Sequence, residues 1–159
     1  MSAVIQLRPS RNTTRLRIKR AGAPAEIPLT TIQKRRILDS FRQVAPALEL
    51  VGQLFYLRLF RIDPSLRARF DGPAAMQARK FAAAIKLAMI SLKHDDGLGA
   101  VLKLLGARHR QLDIRSRHYR SMMRALMWTL EQSLEKSFTR ETKDAWNSFL
   151  GQAMQRLSA

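Results

Sequence analysis

The chain has 159 residues, enough for one domain with a substantial core, and its 46% hydrophobic content is typical of a globular protein. It contains no cysteine, which excludes disulfides, thiolate metal ligands and a cysteine nucleophile, and no apolar run reaches the roughly 18 residues of a membrane span. The net charge of +17 favours anionic partners, such as nucleic acid, acidic proteins or anionic lipid surfaces.

Residues 1–29 show no sustained hydrophobic periodicity. Six basic residues precede Ile27, against the single acid Glu26. We therefore predict a basic, flexible N-terminal extension over 1–29, suited to an anionic partner, and a folded domain over 30–159. The extension is similar in composition to an organelle transit peptide, but Pro9 interrupts any long amphipathic helix, and we expect a cytoplasmic protein.

The folded part begins with helix signals. Thr30 and Gln33 have the spacing of a capping box, and hydrophobic residues then recur at helical intervals. Pro46 marks the boundary to a second helix, which is predicted to run to about Ile62.

The rest of the chain is also predicted to be helical. Asp63 followed by Pro64 is typical of a helix start and opens a short helix toward Phe70. Further helices are predicted over 75–92, 98–110, 116–136 and 140–157. No segment alternates like a strand, so the predicted class is all-α.

One histidine, His109, continues the apolar stripe of a predicted helix. Three leucines precede it at helical intervals on the same face: Leu98, Leu102 and Leu105. An isolated histidine on such a face is more often a hydrogen-bonded core residue than a metal ligand, so both interpretations stay open here. The other two histidines suggest no site: His94 lies in a polar turn, and His118 is predicted to be a surface or hinge residue. Their spacing does not favour zinc.

Several longer segments follow one another in a recognisable order. The chain contains FYLRLFRIDPSLRARF, MQARKF, LGARHRQLDI followed by HY, and LMWTLEQSLEKSFTRETKDAW. In order and spacing these segments resemble the bacterial globin family, that is, the single-domain haemoglobins and the haem domain of flavohaemoglobins, from about Leu29 to the C-terminus. The resemblance implies a globin fold and a non-covalent haem b with its iron.

On the proximal side, the resemblance implies that His109 binds the iron and that Tyr119 orients its ring. Leu105 would line the haem slot one turn earlier. The family's final-helix glutamate would fall beyond Ala159, so we do not expect a strongly electron-donating imidazole or peroxidase-like chemistry. Asp113 stands where the family usually has glycine, and its turn is one that aspartate tolerates less well.

On the distal side, the resemblance implies that Tyr56 and Gln77 face the open side of the iron. Phe81 would line the same pocket, and Phe70 would stack on the porphyrin. Lys80 would pair with a haem propionate, although a solvated lysine is an equally good interpretation. A distal glutamine in place of histidine disfavours a resting state with two histidine ligands.

Two functions follow as hypotheses. The first is a haem globin that reversibly binds oxygen, nitric oxide or carbon monoxide, and that converts nitric oxide to nitrate if an external reductase supplies electrons; no flavin or nicotinamide domain is expected. The alternative is a haem-free basic helical module that binds nucleic acid or an anionic membrane. The arginine-rich segment 108–120 is either a solvated face or a site for propionates or an acidic electron donor.

Overall fold

The computed structural model describes residues 27–159, and this part of the chain is all-α, as predicted. Six α-helices and three short 3-10 segments follow one another with no strand between them. The α-helices are α1 Thr31–Val44, α2 Leu48–Ile62, α3 Ala74–His94, α4 Leu98–Gln111, α5 Ser116–Leu134 and α6 Arg140–Ser158. The 3-10 segments are Ala45–Ala47, Pro64–Arg69 and Glu135–Ser137.

The predicted helix starts are confirmed at both ends of the domain. Thr30 accepts a hydrogen bond from the Gln33 backbone while the Gln33 side chain accepts from the Thr30 N–H, which completes the capping box of α1. Thr139 caps α6 by accepting from the backbone N–H of Thr142. Asp63 also caps, but the segment it opens is a six-residue 3-10 helix.

A single apolar core lies where α2 packs against α3 and α5, and where α6 packs against α1, α4 and α5. The α2–α3 crossing is close at Gly52, because a Cβ atom there would lie 3.0 Å from the Phe81 ring and 3.1 Å from the Ala78 carbonyl oxygen. Glycine therefore lets Phe81 lie directly over α2. None of the helices in the part of the chain that the structure describes combines the length and apolarity needed to cross a membrane.

The first and last helices are joined by a buried polar contact. Trp146 is 2% exposed, and its indole Nε1 donates to the Ser40 hydroxyl at 2.9 Å. Ser40 in turn donates to the carbonyl of Arg36 one turn earlier in α1. The contact satisfies both buried polar side chains and fixes the register of α6 on α1.

The predicted extension falls almost wholly on residues 1–26, which lie outside the described residues. Its last three residues are described. Ile27 is buried in the core, and the Gln152 side chain donates to the Pro28 carbonyl oxygen at 3.4 Å.

Candidate functional site

The geometry around His109 determines which ring nitrogen is free. The Tyr119 hydroxyl donates its only proton to the Leu157 carbonyl oxygen at 3.0 Å, and its oxygen lies 3.3 Å from His109 Nδ1. The phenol therefore accepts from Nδ1, which places the imidazole proton there and leaves the lone pair on Nε2. No described residue hydrogen-bonds Nε2. Burial also lowers the pKa of His109, so the ring is neutral at pH 7.

The Leu157 carbonyl is available because of its position in α6. It belongs to the last helical turn, whose carbonyls have no backbone N–H four residues ahead within the helix. Gly106, three residues before His109, makes the approach possible, since a Cβ atom there would lie 3.0 Å from the Leu157 oxygen. In the described part of the chain, a backbone carbonyl thus anchors Tyr119.

A second group of side chains surrounds Tyr56. Its ring packs against Phe55, Phe70 and Phe81 with centroid distances of 5.0, 5.3 and 6.3 Å, and against Phe60 at 5.8 Å. We call these five residues the aromatic cluster. Burial raises the pKa of Tyr56 to about 12, so the phenol keeps its proton at any physiological pH. None of the described residues hydrogen-bonds this hydroxyl, which leaves its proton available to a ligand.

The remaining predicted site residues lie apart from these two groups. The Gln77 side-chain amide donates to the carbonyl of Asp71, in the turn before α3, and no hydrogen bond joins it to Tyr56. Lys80 is exposed and forms no ion pair with a described residue. Leu105 is half-buried and packs against the core. The structure therefore brings together Tyr56, Phe70 and Phe81 in one group and His109 and Tyr119 in another.

The chain was compared with known proteins, and the family model for Globin matches residues 53–157. The chain belongs to the globin family. A curated relative, a flavohemoprotein of Vibrio cholerae serotype O1, is 26% identical to this globin over 118 residues, which are 70% of this chain and 30% of the relative. The globin thus spans about a third of that protein's length, and the predicted resemblance to the haem domain of flavohaemoglobins is confirmed.

A solved structure agrees with the fold. The crystal structure of a hexacoordinated heme protein from an anhydrobiotic tardigrade superposes on this globin with a TM-score of 0.70 at 18% identity. The superposition covers 83% of this chain and 94% of the other. The predicted globin fold is confirmed.

Part of the arginine-rich segment of the globin is engaged within the protein. Asp113 adopts φ 53°, the left-handed conformation expected for its tight turn. Its carboxylate accepts from Arg115 at 2.9 Å and pairs with Arg69, which also donates to the Asp113 backbone carbonyl. These hydrogen bonds from Arg115 and Arg69 lower the pKa of Asp113 to about 2. Arg69 directly precedes Phe70. Its contacts therefore join the end of the Pro64–Arg69 segment to the turn that follows α4.

His118 corrects a prediction. It was expected at the surface or in a hinge, but it is fully buried at the start of α5. Its Nδ1 accepts the backbone N–H of Arg115 at 2.9 Å, so the ring caps the helix. Burial lowers its pKa, and the charges of Arg117 and Arg69 lower it further. The neighbouring arginines in the sequence had suggested exposure. Arg117 and Arg120 are indeed exposed, but the ring between them turns inward, and Arg117 Nε reaches to 3.2 Å from His118 Nε2.

Sequence reasoning missed three contributors to this site: Arg69, Gly106 and the Leu157 carbonyl. Arg69 and Asp113 are 44 residues apart, and Tyr119 and Leu157 are 38 apart. No local pattern reports such pairs. Only the glycine offered a signal, because a glycine inside an apolar helix often marks a close approach of another backbone.

Proposed function

We propose that this globin binds a non-covalent haem through His109 Nε2 and reversibly binds diatomic gases at that haem. The observation that carries the proposal is the assigned tautomer of His109. A neutral imidazole whose Nδ1–H is held by Tyr119 presents its other nitrogen as a metal ligand, which is the arrangement that orients histidine ligands in metal sites. When bound, haem would supply an iron that takes up oxygen, nitric oxide or carbon monoxide.

The aromatic cluster would suit the gas-binding side of such a group. Its rings supply an apolar wall, and the Tyr56 hydroxyl supplies one protonated donor without a protein partner. A hydrogen bond from this donor to a ligand that carries partial negative charge would contribute about 1.5–3 kcal/mol. That corresponds to roughly 10- to 150-fold in affinity. Such a site favours oxygen over carbon monoxide, because oxygen takes up more negative charge.

The proximal contacts favour reversible binding over peroxidase-like chemistry. Tyr119 is anchored by the neutral Leu157 carbonyl, and no carboxylate among the described residues hydrogen-bonds Tyr119 or His109 Nδ1. With this partner the imidazole would act as a neutral donor of ordinary strength. Conversion of nitric oxide and oxygen to nitrate is the enzymatic extension of this proposal, and it takes one electron per turnover from a separate reductase. The basic surface suits the docking of an acidic one.

Haem uptake tests the proposal directly. The purified chain should bind one equivalent of haem and show an intense Soret band that shifts when carbon monoxide is added. His109→Ala should lose stoichiometric uptake, whereas His94→Ala, which removes an exposed histidine at the end of α3, should keep it. Equal uptake by His109→Ala and the wild type would show that another group holds the iron. A chain that takes up no haem but binds duplex DNA would support the haem-free alternative.

A further inference from the structure

A large groove lies between α1 and the C-terminal half of α3. Its volume is about 760 Å³, and its apolar floor includes Leu38, Phe41 and Met89. It shares no lining residue with the aromatic cluster or with the His109–Tyr119 pair. We call it the α1–α3 groove, and the proposed gas-binding function does not use it.

The rim of the groove is strongly basic. Five cationic side chains line it against the single acid Asp39: Lys34, Arg35, Arg42, Lys86 and Lys93. Two of the cations are neutralised, because Arg42 pairs with Asp39 and Lys34 pairs with Asp95 at 2.5 Å. The other three, Arg35, Lys86 and Lys93, form no ion pair with any described residue. The groove therefore presents uncompensated positive charge around an apolar floor.

The two helices that form the groove also expose aliphatic side chains. Ile90 lines the groove and is 57% exposed. Outside the lining, Leu87 of α3 is 46% exposed and Ile32, in the first turn of α1, is 66% exposed. Isolated exposed hydrophobic residues are ordinary, but three on the two helices that flank a basic groove favour an apolar partner.

We propose that the α1–α3 groove docks this globin on an anionic lipid bilayer. The unpaired lysines and arginine would meet lipid phosphates, and Ile32, Leu87 and Ile90 would enter the boundary between headgroups and acyl chains. Amphipathic surfaces with basic and aliphatic side chains bind anionic membranes in this way. Duplex nucleic acid would satisfy the charges but leave the aliphatic side chains in contact with a phosphate backbone, so the combination favours lipid.

Vesicle sedimentation of the full chain tests the proposal. The protein should bind vesicles that contain phosphatidylglycerol and not vesicles of phosphatidylcholine alone. Each cation near an anionic surface contributes about fivefold to partitioning, so Arg35→Gln/Lys86→Gln/Lys93→Gln should weaken binding on the order of 100-fold. The matched control removes three exposed cations outside the groove, Lys103→Gln/Arg124→Gln/Lys136→Gln, and should weaken binding far less.

A second pair of variants tests the aliphatic part of the patch. Ile90→Ser should reduce vesicle binding several-fold, whereas Leu57→Ser, which removes a 66% exposed leucine of α2, should not. Equal loss in the two charge variants, or no difference between Ile90→Ser and Leu57→Ser, would overturn the assignment to this groove. So would a wild-type chain that binds duplex DNA or an acidic polypeptide but no anionic vesicle.

Discussion

The hydroxyl of Tyr119 contacts both His109 Nδ1 and the Leu157 carbonyl oxygen, and its removal tests the assigned tautomer of His109. Tyr119→Phe keeps the ring but leaves the buried Leu157 carbonyl oxygen and His109 Nδ1 without their partner. A buried acceptor left unpaired costs about 1–3 kcal/mol, so the free energy of unfolding should fall by that amount. Loss of the partner that orients a histidine ligand typically lowers metal affinity by about 10- to 100-fold.

Two measurements separate these effects. Chemical denaturation gives the free energy of unfolding. The rate of haem transfer to an excess of a high-affinity haem-binding protein gives the rate at which haem dissociates from the globin. Tyr119→Phe should transfer haem about 10- to 100-fold faster than the wild type. Thr129→Val is the control, because it removes a buried hydroxyl that donates to the Ala125 carbonyl at 2.8 Å within α5. It should lose stability without a change in haem transfer. A wild-type transfer rate in Tyr119→Phe would refute the tautomer assignment.

Three further predictions follow from the described contacts. Tyr56→Phe should release oxygen about 10- to 150-fold faster in stopped-flow measurements, because the ligand loses its donor; an unchanged rate would place the hydroxyl away from the gas. Gly52→Ala should lower the free energy of unfolding by about 1–3 kcal/mol through overpacking against α3. Gly151→Ala is the control: its Cβ atom would lie 3.9 Å from Met123 Cε, so the free energy of unfolding should rise by about 0.5–1 kcal/mol. The pKa of His118 is lower in the folded chain than the usual 6.5, so the stability linked to this group is fully present above pH 6.5 and declines below it as the unfolded chain takes up a proton. His118→Gln keeps an acceptor for the Arg115 N–H, and denaturation curves across pH should show a shallower acid decline; an identical pH profile would contradict this assignment.

The helices could be predicted from the sequence because their signals are local. Two helix starts are marked within a few residues of chain, one by Thr30 with Gln33 and the other by Thr139. The spacing of apolar residues then predicts how far each helix continues. The tight turn at Asp113, which the family resemblance implied, is confirmed by its φ of 53°. The helix predicted to end at residue 136 ends at Leu134, where the chain tightens into a 3-10 turn.

The contacts that build the site could not be predicted in the same way. Whether His118 faces inward depends on what packs over it, and its charged neighbours in the sequence pointed to the wrong answer. The anchor of Tyr119 is a backbone carbonyl, and every residue type carries one, so no residue identity could reveal it. The family resemblance located His109 and Tyr119, but the geometry that joins them came from the packing of α4, α5 and α6.

The contact between Ser40 and Trp146 bears on how the chain acquires its structure during synthesis. The two residues are 106 positions apart, and the tryptophan lies in α6, which leaves the ribosome after α1 to α5. The inward face of α1 therefore has no permanent partner from α6 until α6 has been synthesised. Contacts so distant in sequence form slowly because a long loop must close first. The nascent protein thus exposes an apolar surface to chaperones until α6 emerges, and truncation before residue 146 should leave that surface uncovered.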